Sequence, residues 1–182
     1  NLVMVTLGTG VGGGIILNEK ILTGTNGAGG EIGHLTMEPT EVEKCGCGKT
    51  GCLEQYASAT GIARLARRTL AKTDKATVLN ADTVTAKDVF DAVKAGDEVA
   101  IEVATQFGKY LGYGLSSVAA LVDPQIFVIG GGVSKAGEIL LDFIKEPYME
   151  KAFFANEEVR FALAELGNDA GIYGAASMMI LN

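Results

Sequence analysis

The feature that most constrains this chain is where it keeps its metal-binding residue types. All three cysteines, Cys45, Cys47 and Cys52, fall within eight residues, and His34, the only histidine, lies shortly before them. An odd number of cysteines packed this closely does not make a disulfide framework. One imidazole and three thiolates do complete a tetrahedral zinc shell with no ligand left over, the Cys₃His composition of a structural site. The alternative is a surface loop with free thiols, which would leave three reactive groups open to oxidation. Zinc is the preferred reading. The intervening Gly46, Gly48 and Gly51 let the backbone fold tightly around an ion. No helix is framed by the ligands, so this is a knuckle and not a DNA-reading finger. Residues 23 to 52 show no sustained hydrophobic period, so an ordered loop there needs something besides a core to hold it.

With 182 residues, 48% of them apolar, the chain is long enough for one domain with its own core. No apolar run approaches the ~20 residues that span a bilayer, and no basic stretch precedes a hydrophobic segment at the N-terminus. The expectation is a soluble, cytoplasmic protein that meets no membrane. A formal charge of −7 disfavours nucleic acid as a partner. The one basic cluster, Arg64, Arg67 and Arg68, reads as a solvated helix face.

Leu2 to Leu7 is a short apolar strand stopped by Gly8-Thr9-Gly10-Val11-Gly12-Gly13-Gly14, and Ile15 to Leu17 and Ile21-Leu22 resume as an antiparallel meander. Helical spacing runs from Leu53 to Leu70. Thr85 with Asp88 marks an N-cap for a short helix to Gly96, and a helix of about six turns follows from Glu98 to Leu121. Gly108, Gly112 and Gly114 interrupt that helix, and its small residues imply close packing against a sheet. Ile126 to Ile129 reads as a buried strand, Ser134 as the start of an amphipathic helix, Val159 to Leu166 as a strand, and Ile172 to Ile180 as a terminal helix. This order implies one α/β domain over residues 1–182, with a mixed sheet flanked by helices. The actin-like, ribonuclease-H-like ATPase fold has that order, as do other mixed α/β folds.

Three further constellations carry chemistry. Gly8, Thr9, Gly10 and Gly12 follow a strand in a turn whose amides suit phosphate oxygens and whose glycines permit positive φ. No Lys-Ser, Lys-Thr or helix follows, which excludes a P-loop and a dinucleotide fingerprint, and a plain hairpin turn fits the residues equally well. Gly131 and Gly132 lie between a buried strand and a helix, where a nucleotide contact and close strand–helix packing are both served. Finally, a metal tying His34 to Cys52 would bring Glu31, His34 and Glu54 together. Carboxylates and an imidazole in one pocket suit a polyhydroxylated ligand, whereas solvated carboxylates or a partner of the metal ligand fit the spacing too.

Gly-Glu-Ile-Gly-His at 30–34, Cys-Gly-Cys-Gly-Lys-Thr-Gly-Cys-Leu-Glu at 45–54, the leading Leu-Gly-Thr-Gly-Val-Gly-Gly-Gly and the later Ile-Gly-Gly-Gly-Val-Ser together resemble the ROK family of repressors, open reading frames and kinases. Ala-Ser-Ala-Thr-Gly at 57–61 is similar to its bacterial glucokinases. The resemblance implies an actin-like fold with a zinc loop at about residues 31–54, and structural Zn²⁺ on His34, Cys45, Cys47 and Cys52. It implies a hexose, glucose first, on Glu31, His34 and Glu54, and ATP with Mg²⁺ at Gly8, Thr9, Gly10, Gly12, Gly131 and Gly132. Homodimers or homotetramers are common in the family. The same resemblance places the catalytic base, an Asp after an Asn, in a lobe N-terminal to Leu2. The expectation is therefore a C-terminal lobe that holds no catalytic residue and does not turn over alone. Kinases for N-acetylmannosamine, fructose or allose, or the sugar-sensing half of a repressor, share the scaffold, and a zinc-stabilised interaction domain is a further reading.

Overall fold

Along β1 (Leu2–Leu7) every second residue, Val3, Val5 and Leu7, is fully buried, so one face of the strand is committed to the core. A computed structural model describes residues 1–180. In it β1 occupies the centre of a five-stranded sheet of order β3-β2-β1-β4-β5, with β2 at Val11–Leu17, β3 at Lys20–Ile21, β4 at Ile126–Gly130 and β5 at Arg160–Leu163. The first three strands form the antiparallel meander read from the sequence, while β4 runs parallel to β1 and β5 parallel to β4. Phe127 and Ile129 of β4 join Val3, Val5 and Leu7 in one core cluster. The opposite face is more open: Met4 and Val128 are half-buried and Thr6 is exposed. Helices thus cover chiefly one face of the sheet.

The helices are α1 (Glu54–Ala57), α2 (Ala59–Leu70), α3 (Ala86–Lys94), α4 (Glu98–Val122), α5 (Ile139–Lys151) and α6 (Ala170–Ile180). Thr85 and Asp88 form the expected reciprocal capping box at α3. The helix expected from Leu53 instead breaks at Ser58, whose extended backbone lets its hydroxyl accept from the Gly61 amide and start α2 afresh. The glycines of α4 do not interrupt it. Gly108 and Gly112 face α5 rather than the sheet, since a Cβ at Gly108 would lie 2.0 Å from the Phe143 carbonyl oxygen and one at Gly112 would lie 2.7 Å from the Tyr148 amide, while Gly114 faces the Leu53 side chain. Ser134 lies in a 3₁₀ turn, Gly132–Ala136, and α5 begins only after Gly137, whose φ of +87° ends that turn. No helix among the described residues is long and apolar enough to cross a membrane.

The loop between β3 and α1 holds little regular structure, only a 3₁₀ turn at Ile32–His34 and isolated bridges pairing Thr36 with Cys52 and Lys44 with Thr50. It is fastened by charge. Glu41, with 3% of its side chain exposed, accepts from Arg68 Nη1 and Nη2 at 2.9 and 3.1 Å, from the Tyr56 hydroxyl at 2.7 Å and from Arg64. The expected solvated face of α2 is thus wrong for two of its three arginines. Arg64 and Arg68 cross to the loop, and Arg67 reaches the carbonyls of Ala81 and Val84. The Arg68 guanidinium, with help from Tyr56 and Arg64, holds the Glu41 carboxyl far below the ordinary glutamate value of 4.5.

Two outcomes follow. Thr85→Ala removes the half of the capping box made by the Thr85 hydroxyl and leaves the Thr85 amide on Asp88, and is expected to lower stability by about 1 kcal/mol in denaturant titration. Because the Glu41 pKa is lower folded than unfolded, its contribution is present above about pH 4.5 and is lost as pH falls through the folded value. Stability measured from pH 6 to 3 should therefore fall less steeply in Glu41→Gln, from a lower starting point.

Candidate functional site

The knuckle assembles through local turns. The Cys45 amide donates to the Lys49 carbonyl at 2.7 Å and the Gly48 amide to the Cys45 carbonyl at 2.9 Å, with Gly48 and Gly51 both at positive φ. Gly51 needs the small side chain as well, since a Cβ there would lie 2.0 Å from the Glu38 carbonyl oxygen. One ligand atom from each of His34, Cys45, Cys47 and Cys52 then lies within 4.8 Å of every other. The Cys47 and Cys52 sulfurs are 3.6 Å apart, and Cys45 Sγ is 3.8 Å from His34 Nδ1. Two sulfurs bound at ~2.3 Å to one tetrahedral ion stand about 3.8 Å apart, so spacing and donor chemistry both fit zinc. Burial, then the Glu54 carboxylate, pushes the Cys45 thiol up to about 12; burial raises Cys52 as well, while the Lys49 amide lowers the exposed Cys47.

The same knuckle draws in the carboxylates. Glu54 opens α1 two residues after Cys52, and its Oε1 accepts from the Cys45 thiol at 2.8 Å and lies 3.9 Å from His34 Nδ1. Glu31 Oε2 is 3.8 Å from His34 Nε2, and its side chain is 63% exposed, so it forms the outer edge of the group. The chain carrying Glu31 and His34 is pressed onto β2. A Cβ at Gly33 would meet the Val11 carbonyl oxygen at 2.1 Å, and one at Gly13 would meet that of Gly30 at 2.3 Å. Three residues spread over 24 positions of sequence therefore form one group.

The turn after β1 lies against that group. A Cβ at Gly10 would sit 2.6 Å from Glu54 Oε2. The turn is also tied to the start of α2, because the Ala59 amide donates to the Gly8 carbonyl at 2.8 Å and the Thr60 hydroxyl to that of Thr9 at 2.9 Å. A cavity of about 400 Å³ opens between Thr9, Gly10, Cys45, Glu54 and Arg64. The sequence reading is corrected in one respect. Gly12 to Gly14 belong to β2, Gly12 opposite Thr6, and no glycine of Gly8–Gly14 has positive φ. At Gly10, Gly12 and Gly13 the lack of a side chain permits close approach, not an unusual backbone.

The second glycine cluster stands beside the first because β1 and β4 are parallel neighbours, with Thr6 in register with Gly130. Gly131 has φ +86°, and a Cβ there would lie 2.5 Å from the Leu7 carbonyl oxygen, so glycine is required on both counts. Gly132 and Val133 form one wall of a cavity of about 340 Å³, closed opposite by Ala59, Lys87, Phe90 and Asp91. The sequence reading missed this wall, since α3 carries no ligand-binding motif and only the fold brings it to β4. It also missed Gln55 and Arg64, for which an Arg two turns into a helix opposite a loop glutamate was the one available signal.

The ROK family model matches residues 1–181. The chain is 47% identical over 179 residues to a protein named glucokinase from Halalkalibacterium halodurans, covering 96% of this chain and 54% of that one. It is 29% identical to a putative xylose repressor of Caldicellulosiruptor, covering 99% of this chain and 46% of that one. Among solved structures it resembles a ROK family glucokinase from Streptomyces griseus in complex with glucose and AMPPNP, with a TM-score of 0.86 and 34% identity over 97% of this chain and 59% of that one. The chain spans about half the length of the curated relatives it matches.

Proposed function

The chain belongs to the ROK family, and on that premise we propose that it is the C-terminal, nucleotide- and sugar-binding lobe of an ATP-dependent hexose kinase whose substrate is glucose. One observation carries this reading: the Glu54 carboxylate lies directly against Gly10 of the glycine turn. Phosphoryl transfer is mainly a matter of positioning, and a hydroxyl-binding carboxylate beside a phosphate-binding backbone brings acceptor and donor into one space. Greater identity to the glucokinase than to the repressor favours a kinase over a sensor, and a repressor needs no phosphate turn beside its sugar.

In this reading Glu31, His34 and Glu54 hold sugar hydroxyls, the carboxylates as acceptors. The turn of Gly8, Thr9 and Gly10 faces the transferred phosphate, the Gly8 amide bracing it by donating to the Gly10 carbonyl at 3.0 Å, and Gly131 and Gly132 with the cavity at Phe90 take the nucleoside. Gly12 acts indirectly, by letting β2 approach Thr6. His34, Cys45, Cys47 and Cys52 hold structural zinc, which neutralises thiolate charge and fixes His34 against Glu54. ATP enters with Mg²⁺, which screens the charge of its phosphates. No described residue is assigned as the base.

Two measurements test this. A preparation washed free of loose metal should contain one zinc per chain by elemental analysis, and Cys47→Ser should lose most of it. Steady-state phosphorylation of a sugar panel by the full-length protein containing this chain should favour glucose. Glu54→Ala should cut kcat/KM by about 10- to 100-fold, the worth of a charge-assisted hydrogen bond; turnover with no sugar would overturn the kinase reading.

A further inference from the structure

The basic face of α2 and the buried carboxylate opposite it belong to no part of the reading above. Arg64 Nη1 donates to the Gln55 carbonyl at 3.0 Å, and the guanidinium also reaches the carboxylates of Glu41 and Glu43. Its Cζ lies 5.3 Å from the centre of the Tyr56 ring, which stacks on Tyr110 at 4.0 Å, so the head group is held by an aromatic pair as well as by its hydrogen bonds. Gln55 completes the span: its Nε2 donates to the Glu43 carbonyl at 3.0 Å, and its Oε1 accepts from the Cys52 amide at 3.1 Å. One guanidinium and one amide therefore grip both ends of the segment from Glu43 to Cys52, which holds all three cysteines. They grip as well the residue next to Glu54.

Glu41 anchors this clamp in the interior. Besides Arg64, Arg68 and Tyr56, its Oε1 accepts from the amides of Val42 and Glu43, both at 3.0 Å. A carboxylate so enclosed has one geometry, because every alternative leaves a buried charge unpaired. Two side chains join this anchor to α1: Tyr56 of α1 itself, through its hydroxyl, and Arg64, which bonds both Glu41 and the backbone carbonyl of Gln55. Lysine cannot replace it, since a single ammonium does not reproduce a planar fork shared among three acceptors.

We propose that Arg64 is a positioning residue: through Glu41, Glu43 and Gln55 it sets the knuckle and Glu54 in place before metal or sugar arrives. The sugar-binding half of this statement rests on the kinase reading; the metal half does not. The role predicts faster metal loss without loss of fold, as groups that orient metal ligands commonly contribute about 10- to 100-fold to metal affinity.

The test uses the full-length protein loaded with zinc, and measures zinc release to an excess of a chromophoric chelator for Arg64→Lys, Arg64→Gln and Arg67→Gln. Arg67→Gln is the control, because it removes an arginine of the same helix that bonds carbonyls of residues 81 and 84 instead of the knuckle. Both Arg64 variants are expected to release zinc about tenfold faster or more, at unchanged far-ultraviolet circular dichroism, with Arg67→Gln within twofold of the parent. Should Arg64→Gln fail to fold, Arg64→Lys decides. Release within twofold of the parent in a folded Arg64 variant overturns the proposal, and so does equal acceleration by Arg67→Gln, which would reduce the effect to general destabilisation. In turnover, Arg64→Lys should raise the KM for glucose more than that for ATP. A protein with no kinase activity refutes the kinase reading while the zinc measurement still decides the role of Arg64.

Discussion

The arrangement of the site depends on where β1 sits in the sheet. With β2 antiparallel on one side and β4 parallel on the other, the carboxyl end of β1 is the point where both glycine clusters emerge. Gly131 lies against the backbone of Leu7, the residue from which the first cluster starts. Parallel neighbours place their carboxyl ends at the same edge of a sheet, and that edge is where open α/β sheets commonly bind ligands. The fully buried Val3, Val5 and Leu7 fix the register, since a slip by one residue would turn all three out of the core.

From that edge outward, the site is tied together by polar contacts. The Gly8 and Thr9 carbonyls receive the start of α2, and Ser58 caps that helix. Arg64 and Arg68 of α2 then reach the loop through Glu41. Charges so buried are retained only where they are fully bonded, and here their bonds restrict the loop to one geometry. The loop lacks enough apolar residues to close on its own: Val42 is 85% exposed, and the loop's buried apolar side chains are those of Ile32, Cys45, Cys52 and Leu53. The Cys₃His group and the Glu41 cluster are complementary fastenings, the first soft and metal-binding, the second ionic and internal.

Glycine serves different ends along the chain. At Gly10, Gly13 and Gly33 it admits another group where a Cβ would collide, with ordinary backbone angles. At Gly51 and Gly131 it meets both demands, positive φ and close approach. In α4 it lets a second helix pack at backbone distance. A glycine-rich run in sequence therefore does not by itself indicate a flexible or left-handed turn.

What the sequence determined by itself is local. The alternation in β1, the capping box at Thr85, the strand at Ile126 and the donor set of His34, Cys45, Cys47 and Cys52 are legible because periodicity, caps and ligand chemistry act over a few residues. The approach of Glu54 to Gly10, the α3 wall of the second cavity, the partner of the α4 glycines and the pairing of Glu41 with Arg64 and Arg68 were settled only by tertiary structure. Each joins segments with no period in common. A surface arginine and a buried one have the same local pattern, so only the enclosed carboxylate opposite tells them apart.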